Sequence, residues 1–100
     1  VNAYLSLPPD LHNTITEKEI EHEIAQRLKS KTVCGRLDHD AVAFDKICDA
    51  DAIVILLGSD NSQTLWTVKI ALVLHKPLYV FDNVKQTLTL ITQVNLNYGN

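Results

Sequence analysis

The run Ala52-Ile-Val-Ile-Leu-Leu57 constrains this chain more than any other feature. It is continuous, apolar and rich in β-branched residues, with no alternation of polar and apolar positions. A strand of that kind suits burial on both faces, as in a parallel sheet. Parallel strands need long crossovers, and these are usually helices. A polar loop, Gly58-Ser-Asp-Asn-Ser62, follows the run, and then a helical stretch from Ser62 or Gln63 to His75. In an open α/β sheet, ligands bind at such a junction, outside the carboxyl ends of the strands.

The neighbouring segments supply the partners this strand needs. Asn2 to Leu7 reads as a short strand ended by Pro8-Pro9. A helix follows, with Ile20, Ile24 and Leu28 forming one apolar stripe. Thr16 as N-cap with Glu19 three residues on makes a capping box, and Ile15 is placed to staple onto Ile20. Glu17, Glu19, Glu21 and Glu23 crowd its first turns and Arg27, Lys29 and Lys31 its end, as the helix dipole favours. The glutamates read as a solvated helix face rather than a catalytic cluster. Thr32-Val-Cys34 is a second strand, and Asp40 caps a second helix whose inward face is Ala41, Phe44, Ile47 and Cys48. Pro77 stops the third helix, and Leu78 to Phe81 is a further strand. Residues 84–94 fit a helical stripe (Val84, Leu88, Ile91) and a period of two (Leu88, Leu90, Val94) equally.

The order βαβαβαβ with a tail predicts a single α/β domain over residues 1–100. Its small doubly wound parallel sheet would hold four to five strands, flanked by helices, with right-handed crossovers. In the third helix Leu65, Val68, Leu72 and His75 share one side, while Trp66, Ile70, Val73 and Leu74 fill much of the rest. A helix apolar nearly all round is buried from more than one direction. A homodimer or higher oligomer through helix 62–75 is therefore expected.

Composition removes several classes. A net charge of −3 argues against a nucleic-acid partner, which needs clustered Lys and Arg. No apolar run is long enough to cross a membrane, and no basic stretch precedes a long apolar region at the start. The two cysteines, Cys34 and Cys48, suit reduced thiols in a cytoplasmic protein. With three glycines, no glycine-rich phosphate cradle can form in one loop. His12, His22, His39 and His75 have neither an i, i+4 pair nor cysteines at zinc spacing, so no metal and no cofactor are expected.

Parallel pairing would gather Ser6-Leu7-Pro8, Arg36 to Asp40, Gly58 to Thr64 and Asp82-Asn83 around one crevice. Asp60, Asn61, Ser62 and Thr64 bring carboxylate, amide and hydroxyl groups there, and the third helix adds unpaired N–H groups at its start. The plainer role for Asp60 and Ser62 is loop and N-cap. Trp66 reads as core or interface rather than a base-stacking platform.

Taken in order, these segments resemble the nucleoside 2-deoxyribosyltransferase family and its Rossmann-like or flavodoxin-like relatives. Tyr4-Leu-Ser-Leu-Pro8 is similar to that family's opening Tyr-Leu-Ala-Gly-Pro, and Ala50-Asp-Ala-Ile-Val54 to its Ala-Asp-Ala-Val-Val. Asn61-Ser-Gln-Thr-Leu-Trp-Thr67, Lys69-Ile-Ala71 and His75-Lys-Pro77 stand where the family reads Asp-Ser-Gly-Thr-Ala-Trp-Glu, Gly-Tyr-Ala and Gly-Lys-Pro. The resemblance spans about residues 3 to 82. It implies a nucleoside, nucleotide or related ribosyl ligand, contacted by Tyr4, Ser6, Pro8, Asp38, Gly58, Asp60, Asn61, Ser62, Thr64 and Thr67. It also implies oligomers whose sites are completed across subunits.

The family's glutamate attacks the anomeric carbon, and here that position is Thr67. A carboxylate with a pKa of about 4 is ionised at neutral pH and leaves well when displaced. A threonine hydroxyl is neither without an adjacent base. The expectation is a binding domain degenerate at the catalytic glutamate. One alternative is a deoxyribosyltransferase or nucleoside hydrolase using a relocated carboxylate, Asp60 or Asp38. Another, on a looser likeness of the strand, loop, Trp helix and Lys-Pro, is a Toll/interleukin-receptor-like interaction module.

Overall fold

The computed structural model describes residues 2–30, 32–34, 40–59 and 61–91. Five strands, β1 (Asn2–Ser6), β2 (Thr32–Cys34), β3 (Ala52–Leu56), β4 (Leu78–Asp82) and β5 (Thr87–Ile91), form one sheet in the order β2-β1-β3-β4-β5. The first four are parallel, and β5 returns antiparallel on β4. Three helices, α1 (Ile15–Leu28), α2 (Ala41–Asp49) and α3 (Ser62–Val73), complete a small flavodoxin- or Rossmann-like α/β fold.

The strand alternation assigns each helix to a face. Ala3 and Leu5 of β1, Val54 of β3 and Phe81 of β4 cluster with Ile20 and Ile24 of α1. Tyr4, Ile53 and Leu78 point the other way and cluster with Ile47 of α2 and Ala71 of α3. Ile53 and Val54 are both fully buried, so β3 is covered on both sides as its unbroken apolar run requires. Each such side chain contributes roughly 1.5–3 kcal/mol of burial free energy. At the amino edge, Asp51 ties β1 to β3: its carboxylate accepts from Asn2 N at 2.9 Å and its own N–H donates to Asn2 O at 2.7 Å. Lys76 donates to Cys48 O and Ala50 O at 2.8 and 2.9 Å, neutralising the carbonyl end of α2.

Four local expectations need correction. Helix α1 is capped by Thr14, not Thr16: the Thr14 hydroxyl accepts from Glu17 N at 3.1 Å and donates to Leu11 O. Glu17, not Glu19, reaches back, accepting from Asn13 N at 3.0 Å. The cap sits two residues early because the turn at Pro9–Leu11 gives the Thr14 hydroxyl an acceptor. Ile15 is 76% exposed and does not staple onto buried Ile20. In α2 the inward residues are Ala43 and Ile47, while Ala41 is exposed and Phe44 is 41% exposed.

The third correction is the largest. Helix α3 faces the sheet with Gln63, Thr64, Thr67 and Ala71, all buried, and turns Leu65 and Val73 outward at 53% and 75% exposure. Small side chains on the inward stripe let the helix approach the strands closely. It ends at Val73, so His75 lies beyond it, exposed. Last, the cap of α3 is Asn61, whose side chain accepts from Thr64 N at 2.9 Å; Ser62 is the first helical residue. The segment that fitted two periods is strand β5 over Thr87–Ile91, decided by pairing Phe81 with Leu88 and Tyr79 with Leu90. Residues 92–94 lie outside the described residues.

Beyond α3, His75 takes φ 55°, with its N–H and that of Lys76 bonded to Leu72 O and Ala71 O. This left-handed closing residue is where glycine is favoured, because Cβ meets the following carbonyl. Replacing His75→Gly should raise stability in urea denaturation by about 0.5–1 kcal/mol, the relief of strain less the entropy glycine adds to the unfolded chain. An unchanged or lower midpoint would mean that His75 is not held in this conformation.

Candidate functional site

Four parallel strands put their carboxyl ends on one edge, and the strand order reverses between β1 and β3. The connections leaving these two strands therefore part to opposite faces there, α1 after β1 and α3 after β3. Ser6 ends β1, Leu7 is buried behind it, and Pro8 is partly exposed. On the other side Gly58 is exposed at φ 84°, and nothing lies within 4 Å of where its Cβ would stand. Ser59 and Asn61 are part-buried beside it, and Ser62 is exposed.

Beneath these loops runs a chain of uncharged polar groups. With one proton per hydroxyl, the distances fit a single direction of donation. Asn61 Nδ2 donates to Ser59 Oγ at 3.0 Å, Ser59 to Thr64 Oγ1 at 2.8 Å and Thr64 to Ser6 Oγ at 3.2 Å. Ser6 then donates to Gln63 Oε1 at 3.4 Å, and Gln63 Nε2 to Tyr4 Oη at 3.4 Å. The last two links are long and correspondingly weak. An amide stands near either end, so each hydroxyl between them both accepts and donates. Ser6, Tyr4 and Thr67 are fully buried, and Thr64 and Gln63 nearly so. Their desolvation is offset because each finds partners.

The residues singled out from the sequence thus separate into four sets. Tyr4, Ser6, Asn61 and Thr64 are brought together in the polar chain. Pro8, Gly58 and Ser62 lie on its surface side. Asp38 and Asp60 fall outside the described residues. Thr67 stands apart: at 0% exposure it donates its hydroxyl to Gln63 O, one turn back in its own helix, at 2.8 Å. Ser59 and Gln63 fall within the Gly58-to-Thr64 stretch expected at the crevice but were not among the residues expected to contact a ligand. A hydroxyl next to Gly58 was the available cue for Ser59, whereas Gln63 is joined to Ser6 and Tyr4 only through long-range folding.

Charge gathers nearby on the start of α1. His12 Nδ1 lies 3.1 Å from Glu17 Oε2, and His12 Nε2 is buried with no partner among the described residues. Burial raises the Glu21 carboxyl above its ordinary 4.5, and Glu17 raises it further, against lowering by His12 and Lys18. Among the described residues no cluster of His, Cys, Asp and Glu is arranged to hold a metal ion. Nor is any helix among them long and apolar enough to cross a membrane.

Comparison with family models, curated proteins and solved structures finds no match. What the geometry itself defines is an open, mostly parallel α/β domain with a switch point between β1 and β3.

Substitutions at two positions, Thr67 and Glu21, probe this packing. Thr67→Glu should lose at least about 3 kcal/mol in urea denaturation, because it buries an unpaired carboxylate, whereas Thr67→Val should cost about 1 kcal/mol or less. A Thr67→Glu protein as stable as the parent would mean that this side of α3 faces solvent. For Glu21, a raised carboxyl favours the folded state in acid and loses that advantage as pH rises through the folded pKa. Glu21→Gln should therefore raise Tm at pH 7, and the gain should disappear below the ordinary value of 4.5. An equal gain at both pH values would remove the titration as its cause.

Proposed function

We propose that this chain is a small binding domain for a hydroxyl-rich ligand of nucleoside, nucleotide or related ribosyl type. The ligand would lie at the carboxyl edge, between the loop after Ser6 and the loop from Gly58 to Ser62. The single observation that supports this most is the open space beside Gly58, the residue before Ser59 of the polar chain, in the loop that leaves β3 at the β1/β3 reversal. Sugar hydroxyls and heterocycle edges both donate and accept, and Ser59, Asn61 and Ser62 offer the same neutral groups in return. In open α/β sheets this is the position where ligands collect. The sparse cysteines support a cytoplasmic setting.

Turnover by the double-displacement route is not part of this reading. That route needs an ionised carboxylate at the anomeric carbon. Thr67 is buried, is bonded to its own helix, and has no base beside it on the helix, since His75 lies beyond the helix end, two turns on. A base is what a threonine hydroxyl would need in order to attack.

Calorimetric titration with nucleosides, mononucleotides and free ribose should give saturable heat with at least one of them. Ligand at about a hundred times Kd should then stabilise the fold by about 2.7 kcal/mol. Gly58→Asn keeps the left-handed backbone accessible and fills the open space, so it should weaken binding on the order of tenfold. Deoxynucleosides should be recovered intact. Absence of heat and of thermal shift across the panel would overturn the proposal. Base release abolished by Asp60→Asn would instead assign a catalytic carboxylate.

A further inference from the structure

Charge in this domain is sorted along the strand direction. At the carboxyl edge stand Asp10 in the turn after β1, Glu17, Glu19 and Glu21 in the first half of α1, Asp40 at the start of α2 and Asp82 at the end of β4. Among the described residues, Lys18 and Lys85 are the lysines that oppose them there. At the amino edge the balance reverses, with Arg27, Lys29, Lys46 and Lys76 against Asp49 and Asp51. In the sequence, Asp60 adds a carboxylate between Ser59 and Asn61, while Arg36 and Asp38 cancel. The overall charge of −3 thus combines a more negative ligand edge with a positive edge opposite.

The helix dipoles work against this and lose. All three helices start at the carboxyl edge, and each brings about half a positive charge. Together that is roughly 1.5 charges, whereas the carboxylates named there outnumber the lysines by four. Helix α3, which borders the crevice, is capped by the neutral Asn61. A phosphate placed at its start would enter a negative field.

From this we infer that the crevice takes a cationic ligand, a ribosyl compound that carries a protonated amine and no phosphate. The inference rests on the binding function proposed above and adds the sign of the charge that the site selects. Ser59, Asn61 and Ser62 meet sugar and base with neutral groups, and the surrounding carboxylates, including exposed Asp10 and Glu19, discriminate by charge. Screening over about 8 Å in physiological salt limits this to a several-fold effect on affinity.

Calorimetry on the full chain tests it, with the common ribonucleosides each supplied as the 5′-amino-5′-deoxy form, the free 5′-hydroxyl form and the 5′-monophosphate. In the series that binds, at about 20 mM salt, the amine should bind at least about threefold more tightly than the hydroxyl form and the monophosphate at least about threefold more weakly. Salt at about 0.5 M should bring the three together. Asp10→Lys combined with Glu19→Lys, both at exposed positions (fold checked by circular dichroism), should narrow or reverse the order and leave affinity for the hydroxyl form within about twofold. A monophosphate that binds as tightly as its nucleoside, or more tightly, overturns the inference and leaves the binding function standing. So does an order indifferent to both salt and the charge reversals. No heat from any series removes the binding function itself, and the inference with it.

Discussion

The contact between β1 and α3 governs the rest of the molecule. Ser6 lies at the end of the first strand and bonds to Thr64 and Gln63, which come 58 and 57 residues later in the chain. These bonds turn the polar side of α3 towards the sheet, and Thr67 and Ala71 on the same stripe are small enough to follow. With that side inward, Leu65 and Val73 are left facing away, while Trp66 and Ile70 are half-buried against the core around Ile47 and Ala71. An apolar groove beside Phe44 is the result. The same bonds form the floor of the carboxyl edge. What the floor holds is already bonded, so the groups left to face solvent at that edge belong to the loops.

The parts of the fold that local pattern determines were readable from the sequence. Continuous β-branched burial announced β3, and Asp40 announced the start of α2 through its bond to Ala43 N. Parallel alternation followed from segment order. The misreadings share a cause. Thr14 and Thr16 each have a glutamate three residues on, and the choice rested on Leu11 O, a contact outside the helix. Counting apolar residues placed Phe44 inward, whereas Ala43 is the residue that fits against the sheet. In α3 the count favoured Leu65 as the buried residue over Thr64, because hydroxyl partners on a distant strand leave no trace in local periodicity. Strand β5 was undecided for the same reason, since β4 supplies its partners.

Chemistry at the site is limited by the same packing. The polar chain from Asn61 to Tyr4 is neutral, and the hydroxyls of Ser59, Thr64 and Ser6 are each engaged on both sides. Thr67, in the place where the resemblance expects an attacking glutamate, serves as a satisfied core residue. Charged groups gather instead on α1, where His12 and Glu17 fasten its first turn.

A double-mutant cycle between Ser6→Ala and Thr64→Val, read by urea denaturation, measures the governing contact. Each single change strands a buried hydroxyl partner, and the double change removes both. The two together should cost less than the sum of the singles by about 0.5–2 kcal/mol. Additivity to within about 0.3 kcal/mol would show that the two hydroxyls do not meet, and the packing of α3 described above would be wrong.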